Sequence, residues 1–507
     1  MAGLYWVPRL QGTAALQEIG FRFLQDVNLR YLRSAMESYD FVVIGGGSAG
    51  YSAAAAAARS GLKTVCIEAA EQLGGLCILR GCMPSKTLIE SANRFLTLRR
   101  AEEFGLSAGH LAFDSAAIIK RKRKLIGGFA DYRAEQLSSG LFRLIRGHAA
   151  FGDPFHVRVS LRTGGEETIE GKTFLIATGS VLNRLEVPGL DRVGFLHSDI
   201  ALDTDRFPRS VTILGGGAIA LEFAHFYSAL GSEVTVLQRS KQVIKEADHD
   251  VAMALVEALQ SRGVKIICAT TLKAAEPIRD SKRIRYEKDG SEQVLDGEEI
   301  FYALGRKPAI EGLGLSEAGV DMRTNGVVTV NAMMQTSQPH IFASGDVTGL
   351  HEVVHLAIEQ GEIAAGNARR LLDGKGLKAI DDRLKLFAMF SEPQLAVVGL
   401  TEREAAEQGL AFLVEKYPFN DHGKSMVRGE VEGFVKLIAD AGSGELLGGA
   451  VVGPEASELI HEIVVAMHFR ATADILSKIP HYHPTLSEIW TYPAEALANR
   501  IKKQTGR

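Results

Sequence analysis

Short apolar runs that end in glycine set the rhythm of this chain. Phe41-Val42-Val43-Ile44 is β-branched and apolar, the pattern of a buried strand, and it stops at Gly45. The alanine-rich stretch 52–59 predicts a helix, and Lys63–Ile67 predicts a second strand that ends at Glu68. The same succession returns later. Val211–Leu214 predicts a strand, the apolar stretch after Gly217 a helix, and Glu233–Leu237 a further strand. Strands alternating with helices predict a parallel sheet covered by helices, here twice over. From about residue 380 the pattern changes: Leu395–Val398 reads as a strand, and Thr401-Glu402-Arg403-Glu404 matches a capping box that opens a helix.

The glycines between these elements carry chemistry. Gly45, Gly47 and Gly50 form a G-x-G-x-x-G match between a predicted strand and a predicted helix, with Glu68 eighteen positions beyond Gly50. Such a turn brings backbone close to a pyrophosphate, the helix N-terminus favours its charge, and the acid can accept ribose hydroxyls. Gly215, Gly217 and Ala220 repeat the motif, with alanine at the position that serves helix–strand packing. Eighteen positions beyond Ala220 stands Gln238, followed by Arg239 and then Lys241. A carboxylate suits a free ribose, whereas arginine accommodates a 2′-phosphate. The first site therefore reads as built for FAD and the second as an NAD(P)H site that favours NADPH. The expected fold class is α/β, with two Rossmann-like dinucleotide-binding domains and a C-terminal α+β domain. Two such sites imply electron transfer between a nicotinamide and a flavin.

Composition narrows the picture only modestly. The chain has 507 residues, 46% of them hydrophobic and 23% charged, so it has material for several cores. Its net charge of −4 gives no global reason to expect nucleic acid as a partner. No uncharged apolar run reaches the roughly 18 residues of a membrane span. Four cysteines in so long a chain do not make a disulfide-stapled secreted scaffold, and a cytoplasmic location is expected. Residues 1–35 lack a compact apolar signal and read as an extension, with Met36 a plausible start; an arginine-rich transit peptide is the weaker reading. The run Lys120-Arg121-Lys122-Arg123-Lys124 reads as a solvated helix face.

Cys77 and Cys82 stand five positions apart. In a straight helix that spacing is about 7.5 Å along the axis, and disulfide Cα separations are about 4.4–6.8 Å. A bridge needs an irregular helix start, for which Gly74, Gly75 and Gly81 give latitude. So small a loop would staple the fold little, and no second Cys/His pair is spaced for zinc. A working dithiol is the favoured assignment, and no metal is expected.

The run from Gly74-Gly75-Leu76-Cys77 to Gly81-Cys82-Met83-Pro84-Ser85-Lys86 resembles the active-site motif of the FAD-dependent pyridine nucleotide–disulfide oxidoreductases. Further collinear motifs carry the resemblance across residues 38–500: Ala177-Thr178-Gly179, Gly305-Arg306-Lys307-Pro308, Phe342-Ala343-Ser344-Gly345-Asp346, and His481-Tyr482-His483-Pro484-Thr485-Leu486-Ser487-Glu488. The resemblance implies a redox disulfide Cys77–Cys82, with Cys77 the interchange thiol and Cys82 against the flavin. It implies that His483, oriented by Glu488, serves as the base, acting on the dithiol of the other subunit of a homodimer. Lys86 and Glu222 would form an ion pair near the flavin, Thr178, Gly179 and Gly305 would line the dinucleotide segments, and Asp346 would hold the ribityl chain. Ala218 stands where the family often has an aromatic gate.

The implied organisation is an extension over 1–35, FAD-binding segments over 36–182, an NAD(P) domain over 183–305, a central domain over 306–379 and a dimerisation domain over 380–507. A small disulfide or dithiol is the expected substrate, with no nucleic acid or membrane partner. Active-site motifs are most similar to dihydrolipoamide dehydrogenase, with mercuric reductase-like and glutathione reductase-like enzymes as alternatives. The tail lacks the cysteine pair of mercuric reductase. A flavin-binding protein without turnover is the alternative of another class. Between the cysteines, Leu79 and Arg80 depart from the usual C-L-N-V-G-C, and Arg80 is read either as a charge acting on the dithiol or as a solvent-facing residue.

Overall fold

A computed structural model describes residues 37–506; the extension assigned to residues 1–35 lies outside the described residues. The first unit is built as the patterning predicts. β1 (Glu37–Ile44) leads into α1 (Ser48–Arg59) and β2 (Thr64–Glu68), and the redox segment follows as α2 (Gly75–Arg80) and α3 (Cys82–Arg99). α4 (Ser115–Leu137) precedes β3 (Arg143–Asp153), β4 (His156–Leu161) and β5 (Glu166–Ile176). β1 pairs in parallel with both β2 and β5, and β2 pairs in parallel with β3. The far halves of β3 and β5 continue past this layer and are joined by the antiparallel β4. Alternate residues at the end of β1 feed two cores, Val42 and Ile44 on one face and Phe41 and Val43 on the other. A strand covered on both faces must be apolar almost throughout, which is why this run lacks hydrophobic–polar alternation.

The second unit repeats the plan with β6 (Ser210–Leu214), α5 (Ala218–Ala229), β7 (Glu233–Leu237), α6 (His249–Ser261), β8 (Lys265–Ile267) and β9 (Glu299–Tyr302). Its sheet is parallel, in the order β8-β7-β6-β9, with Leu196–His197 as the outer strand. The chain then returns to the first sheet: β10 (Ile341–Ala343) pairs in parallel with β5, and α7 (Val354–Leu372) packs on α1. Contact between α1 and α7 is close enough that a Cβ on Gly361 would lie 2.5 Å from the Ala49 carbonyl oxygen.

The last unit is antiparallel, in the order β11 (Leu386–Met389), β12 (Gln394–Gly399), β15 (Leu446–Gly453), β14 (Phe434–Asp440) and β13 (Phe412–Pro418). α8 (Ala456–His468) and α9 (Thr491–Thr505) contribute to its core, and the Thr401–Glu404 capping box forms as predicted. This arrangement is the α+β unit anticipated by the change of pattern. A buried cation ties it to the second unit. Lys436 Nζ on β14 sits 3.0 Å from Asp248 and 2.9 Å from Asp250 at the start of α6, and also pairs with Glu402. Among the described residues these three acids are the only cluster with metal-ligand spacing, and the ammonium group lies among them. No described helix is long and apolar enough to cross a membrane.

Candidate active site

The two cysteines meet because the helix between them is broken. Gly75 takes a left-handed conformation and lies against the glycine-rich loop, where an added Cβ would sit 2.7 Å from Gly47 Cα. α2 and α3 are separated at Gly81, whose φ of −125° and ψ of −118° are far from helical. A Cβ there would stand 3.0 Å from the Leu76 carbonyl oxygen and 3.1 Å from Cys77 Cα. This kink replaces the straight-helix offset with direct hydrogen bonding between two half-buried thiols. Cys77 acts as donor, and that bond together with burial pushes its pKa up. The same bond pulls Cys82 down to about 7, assisted by the nearby Lys86 ammonium and opposed by burial. The pair thus separates into a proton-holding thiol and one poised to be thiolate near neutral pH.

Lys86 is one turn along α3, and the packing of α3 on α5 through Leu88, Ala92, Leu221 and Ala224 brings it to Glu222. Its Nζ lies 2.9 Å from both carboxylate oxygens of Glu222. The carboxylate also accepts the Phe390 N–H at 3.1 Å, and the ammonium lies 4.9 Å from the centroid of the Phe390 ring. Sequence patterning offered no sign of the Phe390 contact, because it comes from the third unit of the chain.

At the first dinucleotide loop the glycines divide into two kinds. Gly45 and Gly50 are required by packing: added Cβ atoms would lie 2.4 Å from Ala177 O and 1.8 Å from Gly45 O. Gly47 has ordinary φ and open space, with nothing within 4 Å of an added Cβ. That space is what a phosphate group approaching the N-terminus of α1 would need. Glu68 accepts the Gly46 N–H at 2.7 Å and the Ala70 N–H at 2.6 Å, so it also ties the loop to the end of β2. Thr178 presents a buried hydroxyl without a partner beside Gly179, whose backbone is left-handed; Ser344 holds another such hydroxyl. Asp346 accepts the Ser180 hydroxyl at 2.6 Å, and Arg306 next to the left-handed Gly305 donates to Ser180 Oγ at 2.8 Å. An open glycine cradle and unpartnered buried hydroxyls offer the space and donors that a flavin dinucleotide's phosphates and hydroxyls need, so these residues fit the group.

The second loop has the same division. A Cβ on Gly215 would lie 2.2 Å from Ala303 O, Gly217 is open, and Ala220 is fully buried. Gln238 is buried and turned inward: its Oε1 accepts the Arg239 N–H and its Nε2 donates to Gln242 O. Arg239 and Lys241 are exposed and enter no ion pair among the described residues.

The terminal motif places His483 Nδ1 2.9 Å from Glu488 Oε2. His483 is 78% exposed whereas Glu488 is only 12% exposed, so the acid is anchored and the imidazole projects. His481 faces the other way, buried and paired with Glu462 at 2.6 Å. No hydrogen bond or ion pair among the described residues joins His483 to Cys77 or Cys82 within one chain. A residue unnoticed in the sequence lies on the far oxygen of Glu488: His422 Nε2 is 3.5 Å from Oε1.

Two surface features have partners that the sequence did not show. Arg80 is 67% exposed, yet its guanidinium lies 3.7 Å from Asp199, so it pairs across to the second unit. The basic run on α4 is not a free cationic face: Lys122 is buried and bonds Asp203 at 2.5 Å, Arg123 bonds the same carboxylate, and Arg121 donates to Thr87 O. Three of its five cations thus dock the helix onto neighbouring segments.

Comparison with known proteins gives consistent matches. Residues 39–361 match the family described as pyridine nucleotide-disulphide oxidoreductase, and residues 387–494 match that family's dimerisation domain. A dihydrolipoyl dehydrogenase of Thermus scotoductus is 36% identical over 477 residues, 91% of this chain and 98% of that protein. One from Mycobacterium tuberculosis is 34% identical, over 89% of this chain and 97% of its own length. Among solved structures, LpdA from Mycobacterium tuberculosis superposes with a TM-score of 0.81 at 28% identity, covering 91% of this chain and 100% of that one. The HOCl-induced flavoprotein disulfide reductase RclA from Escherichia coli does so with a TM-score of 0.77 at 26% identity, covering 90% and 99%.

Proposed function

The chain belongs to the pyridine nucleotide–disulfide oxidoreductase family, and on that premise we propose that it reduces a small disulfide with NADPH through the Cys77–Cys82 pair. The observation that carries this reading is the kink at Gly81, which brings the two thiols together one turn from Lys86. Bound FAD would supply the path by which two electrons pass from the nicotinamide to the dithiol. Gly45, Gly47, Gly50, Glu68, Thr178, Gly179 and Asp346 would hold it; Gly215, Gly217, Ala220, Gly305 and Arg239 would serve the nicotinamide dinucleotide. Lys86, fixed by Glu222, keeps positive charge beside Cys82.

The chain's own residues then divide the work. Cys77 holds the proton of the pair, so it needs a base before it can attack. His483 of one subunit would take that proton from Cys77 of the other, with Glu488 fixing the imidazole. Cys77 sulfur attacks the substrate disulfide, forming a mixed disulfide and releasing one thiolate, which the imidazolium protonates. Cys82 thiolate then attacks Cys77 sulfur, closing the protein disulfide and releasing the second substrate sulfur as a thiolate, which takes its proton from solvent. Two electrons have left the dithiol and one substrate bond has been cleaved. A dihydrolipoamide-type dithiol–disulfide couple is the substrate class this reading favours, because several relatives are named dihydrolipoyl dehydrogenases. A cytoplasmic location accords with the low cysteine count.

Anaerobic titration of the flavoprotein with NADPH and with NADH, followed by turnover with lipoamide, glutathione disulfide and other small disulfides, tests the reading. NADPH should reduce it more efficiently than NADH, and Cys77→Ser should abolish disulfide turnover. Disulfide reduction surviving in Cys77→Ser would overturn the mechanism. Preference for NADH would overturn the role given to Arg239.

A further inference from the structure

The charge partner of the proposed base is itself held from behind. Glu488 uses Oε2 for His483, and its Oε1 faces His422 Nε2 at 3.5 Å. His422 has a side chain with no solvent exposure, packed between the rings of Phe419 and Tyr492, whose centroids lie 6.5 Å and 6.4 Å away and nearly edge-on. Its Nδ1 is 2.9 Å from Ser425 Oγ on the short helix Gly423–Arg428. Its Nε2 is buried and makes no hydrogen bond; Glu488 Oε1, 3.5 Å away, is the carboxylate oxygen it faces. Burial lowers the pKa of this ring, so the neutral imidazole is the form to consider. A neutral ring has one donor and one acceptor. With the Ser425 hydroxyl donating to Nδ1, the proton falls on Nε2, the ring nitrogen nearer Glu488 Oε1.

Other titratable groups around the ring are engaged elsewhere. Tyr417 donates to Asp421 at 3.0 Å and stacks on Tyr492 at 4.0 Å, so the neighbouring acid does not compete for His422. His483 reaches the ring only through Glu488.

We propose that His422 is a positioning residue: it fixes the rotamer of Glu488, and through it the direction in which the exposed His483 presents its free nitrogen. This inference rests on the proposed role of the His483–Glu488 pair. The physical need is plain, because a 78% exposed imidazole has little packing of its own, and its aim depends on the one carboxylate that binds it. A carboxylate held at one oxygen only can swing; a buried imidazole packed 3.5 Å from the other oxygen narrows that swing.

The test uses the flavin-loaded dimer with NADPH and lipoamide. His422→Phe fills the pocket without a donor, whereas His422→Gln returns an N–H near the position of Nε2. Bound-flavin content and melting temperature report folding. His422→Phe should lose about tenfold in kcat with KM for lipoamide changed less than twofold, and His422→Gln should recover to within about threefold of the parent. In a Glu488→Gln background, His422→Phe should cost nothing further, since the group it positions is already disabled. Unimpaired turnover in His422→Phe, equal losses in the Phe and Gln variants, or an undiminished further loss in the Glu488→Gln background would each overturn the proposal. Should His422→Phe fail to fold, His422→Gln and the double variant with Glu488→Gln carry the same decision. If Glu488→Gln alone turned over at the parental rate, the fault would lie with the dyad reading, and this inference would fall with it.

Discussion

Replacing Lys86 by methionine removes a charge while keeping most of the aliphatic stem. Its partner Glu222 is 5% exposed, and Lys86 itself 29%. The variant leaves a nearly buried carboxylate with only the Phe390 N–H to satisfy it. Breaking a buried pair from one side costs about 3–5 kcal/mol, and the lower end applies here because the lysine is partly solvated. The second effect is on Cys82. Its pKa of about 7 owes most to the hydrogen bond from Cys77, which the variant keeps, and a smaller part to the Lys86 charge, which it loses. Loss of a cation at this range raises a thiol pKa by about one unit, equivalent to about 1.4 kcal/mol. The thiolate fraction at neutral pH would then fall from about half to about one tenth. The assay is a brief iodoacetamide pulse on the dithiothreitol-reduced protein between pH 5 and 10. Peptide mass spectrometry distinguishes alkylation at Cys82 from that at Cys77. A midpoint for Cys82 that stays in place while the melting temperature falls would refute the electrostatic part, and leave Lys86 as a packing and ion-pair residue alone.

Three further outcomes follow from the same geometry. Gly47→Ala should fold with an unchanged apoprotein melting temperature but retain less FAD, because its Cβ enters the open cradle. Gly50→Ala, with a Cβ 1.8 Å from Gly45 O, should lose both, and equal FAD content in the two variants would contradict this division. Lys436→Met leaves Asp248, Asp250 and Glu402 facing one another, with Lys416 on Asp250 the remaining cation; denaturant titration should show a loss of about 3 kcal/mol, and none if the clamp is solvated. His225 is buried with Nε2 2.6 Å from Asn93 Oδ1, and burial depresses its pKa to about 3. The unfolded chain binds a proton there below about pH 6.5 that the folded chain refuses, so stability falls as pH drops from 6.5 towards 3. By pH 4 the loss is up to about 3 kcal/mol, and His225→Gln should flatten that slope in pH-dependent urea unfolding. An identical slope in the variant would refute the assignment.

The legible part of the site is the part built from neighbours in sequence. Cys77, Gly81 and Cys82 lie within one turn and a break, and the latitude that the glycines offered is the latitude the kink uses. His483 and Glu488 are five apart, and they meet. The pairing of Lys86 with Glu222 was legible only through family resemblance, since 136 positions separate them. Arg80 illustrates the limit: its place between the cysteines suggested a charge for the dithiol or for solvent, and neither reading contained Asp199. The basic run at 120–124 is exposed at four of its five positions, as its density suggested, and Lys122 is the exception. That residue falls on the buried side of α4, where Asp203 meets it.

What the sequence by itself determined is therefore local: apolar runs became strands because both faces of a parallel sheet are covered, and glycines marked the turns where left-handed or crowded backbone excludes a Cβ. Tertiary structure alone decided which charges meet. An ion pair or a buried histidine acquires its partner from wherever the folded chain arrives, and residue type and spacing carry no record of that distant segment. Asp199 for Arg80, Phe390 for Glu222 and His422 for Glu488 are contacts of this kind. The lowered pKa of Cys82 is another such product, since it needs both the kink that delivers Cys77 and the packing that holds Lys86 in place.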